Sequence, residues 1–344
     1  MLDQKTTNLE TDFTRHARIA YPIICGAMYP CSNPELVAAA SEAGGIGIIQ
    51  PLSLTFVHKY DFRQGIRYIR SLTSKPIGFN LIVEKSVKRY EDQMKAWLDI
   101  AVEEGVRFFI TALGNPNWVV ERVRPVGGIV YHDVVNRRWA EKALESDVDG
   151  LICVNNRAGG HLGSESPEQL VEALRGFGKP LVCAGGIGEE KDFLRALQMG
   201  YAGVQMGTRF IATTECKTHP DYKAAILKAT SADIVATEKI SGVPVSVIRT
   251  PYIDRLGLKA GPIARMLLKN ARTKHWMRTF YTMNSLWSLK QTLQKGSAYK
   301  DFWQAGKSVD GIEKVESAGD IIRRFAAFAG GREDSSSSLR SESE

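Results

Sequence analysis

Short apolar runs alternate along this chain with longer segments whose apolar positions recur three or four residues apart. The short runs read as eight strands, at 22–27, 47–50, 77–81, 108–111, 128–131, 150–154, 181–184 and 203–206. Between them, a helix at 34–43 opens behind Asn33 with Pro34 in its first turn. Segments 89–104 and 136–145 carry helical spacing, 167–175 begins behind Ser166, and 189–199 fills the gap between the last two strands. Strand alternating with helix predicts a parallel sheet. After the eighth strand the rhythm breaks. Segment 215–300 has helical patterning and few strand signals, so it reads as an added, mainly helical lid or substrate subdomain. A helix at 317–328 is expected to return to the main domain. The chain therefore divides into an extension at 1–18, a main domain at 19–214 and 301–329, the added segment at 215–300, and a tail at 330–344. The tail is rich in Ser, Gly and charge and is expected to be disordered.

Glycine placement decides how the strands are arranged. Ala184-Gly185-Gly186-Ile187-Gly188 follows the seventh strand, and Gln205-Met206-Gly207-Thr208-Arg209-Phe210 ends the eighth, with one helix between them. Loops after the last two strands of a (β/α)8 TIM barrel commonly hold a phosphate. Glycines let backbone N–H groups approach the phosphate oxygens, and a helix start adds a favourable dipole. A doubly wound open sheet is the competing arrangement, and phosphate chemistry at the last two strands favours the closed barrel. Ala158-Gly159-Gly160-His161 follows the sixth strand, which puts a histidine on the same face.

Composition narrows the class. Of 344 residues, 44% are hydrophobic and 24% charged, as in a soluble globular protein. No apolar stretch approaches the roughly 18 residues of a membrane span, and residues 1–18 lack the apolar core of a signal peptide. The five cysteines form no Cys-x-x-Cys pair, which fits reduced thiols in a cytoplasmic protein better than disulfides or zinc. The net charge of +7 is concentrated: segment 255–300 holds ten Lys or Arg and no acidic residue, leaving 35 basic against 38 acidic residues elsewhere. That stretch reads as the solvated face of a lid, or as a docking surface for an acidic carrier protein, a CoA thioester or an anionic membrane. No nucleic-acid-binding motif accompanies it, so nucleic acid is not an expected partner.

Taken in order, these motifs resemble the nitronate monooxygenase family (2-nitropropane dioxygenases), which includes FMN-dependent enoyl-acyl carrier protein reductases. The resemblance spans roughly 21–325. It rests on Pro22-Ile23-Ile24-Cys25-Gly26-Ala27-Met28, Ala43-Gly44-Gly45-Ile46-Gly47, Gly78-Phe79-Asn80-Leu81, the Ala158–Gly163 motif and Ala184–Gly188. The run from Gly203 to Thr213 is the most specific, and Trp303-Gln304-Ala305-Gly306-Lys307-Ser308 resembles a late family loop. The resemblance implies an FMN-binding barrel that oxidises alkyl nitronates with molecular oxygen. It implies a phosphate cradle at Gly185, Gly186, Gly207 and Thr208 with Gln205 nearby. Ala27, Met28 and Asn80 match positions lining the isoalloxazine, Ala158 and Gly159 match a loop beside it, and His161 matches the catalytic histidine.

Imidazole suits removal of a proton α to a nitro group, or hydrogen bonding to the nitro oxygens. His132, at the end of the fifth strand, is a weaker candidate for the same rim. The chain departs from the family pattern in three places. Many relatives carry an acidic residue before Ala-Gly-Gly-His, where this chain reads Val154-Asn155-Asn156-Arg157; some present a lysine where it reads Tyr131-His132-Asp133; and Ala27 stands where Pro is common. An NAD(P)H-dependent FMN reductase acting on a quinone or enoyl thioester therefore stays open. The missing Rossmann glycine fingerprint does not exclude it, because nicotinamide can stack directly on a flavin. A barrel that only binds a phosphorylated ligand is the non-enzymatic alternative.

Overall fold

A computed structural model describes residues 7–83, 88–240, 244–259, 261, 291 and 302–331. The tail from 332, and all of the basic stretch beyond Gly261 except Gln291, lie outside the described residues. Eight strands close a parallel barrel: β1 (Ile23–Cys25), β2 (Ile46–Ile49), β3 (Ile77–Ile82), β4 (Phe108–Ala112), β5 (Ile129–Val134), β6 (Gly150–Val154), β8 (Leu181–Ala184) and β9 (Gly203–Met206). Strand β9 pairs back onto β1 through Ile23↔Val204, Ile24↔Gln205 and Cys25↔Met206, so no edge is left open. This is the (β/α)8 barrel that the strand–helix rhythm predicts, with the strands within one to three residues of their expected bounds.

Side-chain alternation sorts each strand into an inner and an outer face. Ile24, Ile46, Ile48, Phe108, Ile110, Tyr131, Ile152, Val182 and Ala184 fill the interior. Val130 and Val134, flanking Tyr131 in parity, join the larger core between the strands and the surrounding helices. The same parity settles which residues at the strand ends reach the barrel mouth.

The polar N-terminal extension proves integral to the barrel. Its helix Asp12–Ala17 starts at a Thr11 capping box and carries Phe13, which is fully buried. The Phe13 ring lies 5.7 Å from those of Phe108 and Tyr131, stopping the end of the barrel opposite the mouth. Thr11 Oγ1 donates to the Ala202 carbonyl at 2.7 Å, and the Thr7 N–H donates to the Ala329 carbonyl at 3.0 Å. Phe13→Ala is expected to lower the unfolding free energy by about 3–5 kcal/mol through the cavity it leaves. Urea unfolding checks this; a loss under about 1 kcal/mol would show that the plug contributes little.

The segment after β9 also differs from expectation. It contains helix Pro220–Lys228 and helix Pro251–Leu256, but between them β10 (Ile234–Thr237) and β11 (Val245–Ile248) pair antiparallel. Strand β11 then pairs with β7 (Gly160–His161), on the loop after β6. Two four-residue strands, one of them also paired with a two-residue strand some eighty residues earlier in sequence, leave little local signal. The returning helix is present at Ala318–Ala329, starting behind Ser317 and packing against helices Pro34–Glu42 and Glu190–Gln198. All five cysteines are free and buried. Among the described residues, no helix is long and apolar enough to cross a membrane, and no His, Cys, Asp and Glu cluster could hold a metal ion.

Candidate active site

Four loops interlock at the C-terminal mouth of the barrel. Gly185 and Gly186 have φ of +118° and +81°, backbone that only glycine adopts without strain. Contact closes the case at both positions. A Cβ on Gly185 would sit 2.6 Å from the Ala158 N, and one on Gly186 would sit 2.6 Å from the Arg157 Nε. Asn155, fully buried, holds the two loops together: its Nδ2 donates to the Gly185 carbonyl at 3.0 Å and its Oδ1 accepts from the Arg157 N–H at 2.8 Å. Thr208 Oγ1 accepts from the Gly306 N–H at 3.0 Å, and a Cβ on Gly159 would sit 2.8 Å from that same nitrogen. The late loop is locked by the Lys307 N–H, which donates to the Arg157 carbonyl at 2.9 Å. Trp303, stacked on Tyr222 with centroids 4.9 Å apart, anchors its base.

The structure therefore gathers Ala158, Gly159, Gly185, Gly186, Gly207 and Thr208 into one cradle. Met28 reaches it from the end of β1, its side chain 3.6 Å from where a Cβ on Gly207 would stand. Gln205 faces the interior and lies against Gly26, whose Cβ would be 3.0 Å from the Gln205 Cγ. Ala27 packs against the interior cluster, and Asn80 shares the interior parity of β3. Ala27, Met28, Asn80 and Gln205 are all half-buried although the layer beneath them is sealed, so together they form the floor of an open cavity.

His161 lies in β7, on the same loop as Ala158 and Gly159, paired with Val245. Its side chain is open to solvent, yet the surrounding walls desolvate the ring and push its pKa below the usual histidine value. Its neutral form therefore dominates at pH 7, as a proton acceptor requires. His132 is a different case. It shares the outward parity of Val130 and Val134, and its Nδ1 lies 2.8 Å from Thr111 Oγ1. Burial lowers its pKa to about 4. The structure thus removes it from the rim and makes it a neutral packing residue beneath the helices.

Two residues at the mouth were not singled out by sequence reasoning. Arg157 lies over Gly186, and its Nε is buried without a hydrogen-bond partner. A buried, unpaired guanidinium N–H beside a glycine turn suits a phosphate oxygen. Its signal was a cation two residues ahead of Gly159-Gly160. Asp133 has the inward parity of Tyr131 and therefore faces the cavity floor. Counting two residues along from an interior Tyr131 would have found it, had the inner face of β5 been known. Arg209, by contrast, belongs to the most specific motif but turns away from the mouth. It is fully buried in an ion pair with Glu316, which also binds Arg324.

The residues fit FMN, the cofactor that the family resemblance implies. The orphaned Arg157 Nε and the glycine turn provide a monophosphate seat, and the orphaned Gln205 Oε1 on the floor is an acceptor awaiting a donor. A closed parallel barrel with glycine turns gathered at its C-terminal mouth is the architecture of the barrel enzymes, whose active sites lie at that face. The family model for nitronate monooxygenase matches residues 10–327, and the chain belongs to that family of oxidoreductases. A nitronate monooxygenase from Pseudomonas aeruginosa is 29% identical, over 67% of this chain and 77% of its own. A Rhodococcus jostii protein, (3aS,4S,5R,7aS)-5-hydroxy-7a-methyl-1-oxo-octahydro-1H-indene-4-carboxyl-CoA dehydrogenase, is 24% identical over 97% of this chain and 99% of its own. Among solved structures, FabK from Thermotoga maritima is 28% identical with a TM-score of 0.77, covering 97% of this chain and 99% of that one.

Proposed function

We propose that the protein is an FMN-dependent oxidoreductase that oxidises alkyl nitronates with molecular oxygen. The observation that supports this reading is His161, its pKa lowered by desolvation, held by the β7–β11 pairing on the loop whose Gly159 packs against Gly306 and Thr208. In this reading Gly185, Gly186, Thr208 and Arg157 hold the phosphate, and the half-buried floor residues line the ring. FMN held there would supply two-electron redox chemistry between the substrate and oxygen. His161 takes the α-proton of a neutral nitroalkane on a ring nitrogen, or hydrogen-bonds the nitro oxygens of a preformed nitronate.

A second reading, an oxidoreductase acting on an acyl thioester, is favoured by one observation. The relative matched from end to end carries a CoA-ester dehydrogenase name, whereas the P. aeruginosa nitronate monooxygenase is matched over two thirds of the chain. CoA phosphates would suit the basic stretch 255–300, most of which lies outside the described residues. NADH or NADPH would then supply the electrons, and an acidic carrier protein is the alternative thioester donor.

Anaerobic rapid mixing separates these readings. Bleaching of the flavin by nitronate, faster than by NADH or NADPH, is expected. Bleaching by a nicotinamide alone, followed by reoxidation with an enoyl-CoA, would replace the first reading with the second. Heat-released cofactor is expected to co-migrate with FMN; FAD in its place would overturn the single-phosphate cradle.

A further inference from the structure

Asp133 stands at the C-terminal end of β5, pairing in register with Ile152 of β6. Its parity puts the carboxyl on the interior face, two residues above the sealed layer that contains Tyr131. Inward-facing neighbours on the adjacent strands carry no charge: Ile110 and Ala112 on β4, Ile152 and Val154 on β6. Across the floor stand the neutral amides of Asn80 and Gln205. The charged or titratable groups nearby come from other directions. Arg157, on the loop after β6, lies against Gly186; His161 follows in β7; His132 and the Cys153 thiol of β6 point to the opposite face of the sheet; and Arg137 and Arg138 are exposed on the outer helix. None of them shifts the carboxyl. Burial alone raises its pKa to about 7, and Oδ1 is buried without a hydrogen-bond partner.

We propose that Asp133 serves this site as a protonated hydrogen-bond donor, and that seating FMN on the floor takes up one proton from solvent at this carboxyl. The inference rests on the FMN reading above. The carbonyl oxygens of a flavin ring are acceptors, and a carboxylate that no cation pairs with offers them only lone pairs. The neutral acid offers an O–H. A ring that covers the floor also removes the last water from the carboxyl, which favours the neutral form further. Affinity for FMN is therefore coupled to the Asp133 proton: binding is strong where the free protein already carries it and weakens as pH rises past the titration of the free protein. His161, whose pKa is lowered, stays neutral throughout that window.

The test is FMN fluorescence quenching by flavin-stripped protein between pH 6 and pH 9. Linkage to one group titrating at about 7 predicts a Kd that rises roughly twenty- to fiftyfold between pH 7 and pH 9. Riboflavin, which lacks the phosphate and its ionisation near pH 6, is expected to show the same slope at weaker affinity. Asp133→Asn keeps the shape and a donor but cannot titrate, so its Kd should change less than about twofold over the same range. Asp133→Leu should bind more weakly and equally without slope, which covers the case where the amide variant fails to fold. A wild-type Kd that is flat from pH 7 to pH 9, or a slope that survives in both variants, overturns the proposal. Absence of FMN binding at every pH would instead overturn the cofactor reading beneath it.

Discussion

Replacement of His161 by Asn is expected to leave the protein yellow while slowing flavin reduction by a neutral nitroalkane roughly 10²–10⁴-fold, the usual contribution of a positioned acid–base group. The phosphate seat should be untouched. Gly185, Gly186, Arg157 and Thr208 are tied to one another through Asn155 and Gly306, and none of those bonds uses the imidazole. Comparing two forms of one substrate assigns the role. A preformed nitronate has already lost its proton, so its oxidation should suffer far less if His161 is a base. Equal losses with both forms would make His161 an anion-binding group. A rate with the neutral nitroalkane within about threefold of wild type, under 1 kcal/mol of barrier, would reduce it to a loop residue. The pH profile should agree: because desolvation lowers the pKa of His161, activity with the neutral nitroalkane, measured with FMN saturating, should stay level above pH 7 and fall only below the ordinary histidine range.

Gly186→Val is expected to give colourless protein with an intact fold. At φ +81° a β-branched residue is strained in its backbone, and its first carbon would meet the Arg157 Nε at 2.6 Å. The Arg157 side chain must then swing away, taking with it the one orphaned cationic donor at the cradle. Losing that bond and the one from the displaced residue-186 backbone N–H to a phosphate, at about 1.5–3 kcal/mol each, corresponds to a 10²–10⁴-fold weaker Kd for FMN. Absorbance of the purified protein and an FMN titration check this, with far-ultraviolet circular dichroism as the control for folding. Full flavin content in the variant would place the phosphate elsewhere. Arg157→Ala should weaken FMN less, because the glycine backbone remains.

Much of this molecule was legible in its residues taken in order. Eight apolar runs, five of the helices between them (though not Phe62–Leu72 or Asn117–Val123) and the position of the glycine turns follow from local rules: strands need short apolar stretches, helices need spaced ones, and a left-handed turn needs glycine. Those rules act over a few residues, so Gly185, Gly186, His161 and the closing helix could be located without a structure. Family membership followed because the turns occur in a fixed order along the chain. Contacts between distant segments were not legible. Phe13 looked like part of a polar extension, yet it plugs the barrel because the strand starts leave an apolar hole the size of an aromatic ring. The β10–β11 hairpin and its pairing with His161 were missed because four-residue strands are stabilised by partners and not by their own sequence. His132 and Asp133 are adjacent in sequence, and only barrel closure decided which one faces the cavity. Since alternate side chains point to opposite faces, that single choice turned one into a packed neutral histidine and the other into a desolvated acid on the inner face of the barrel.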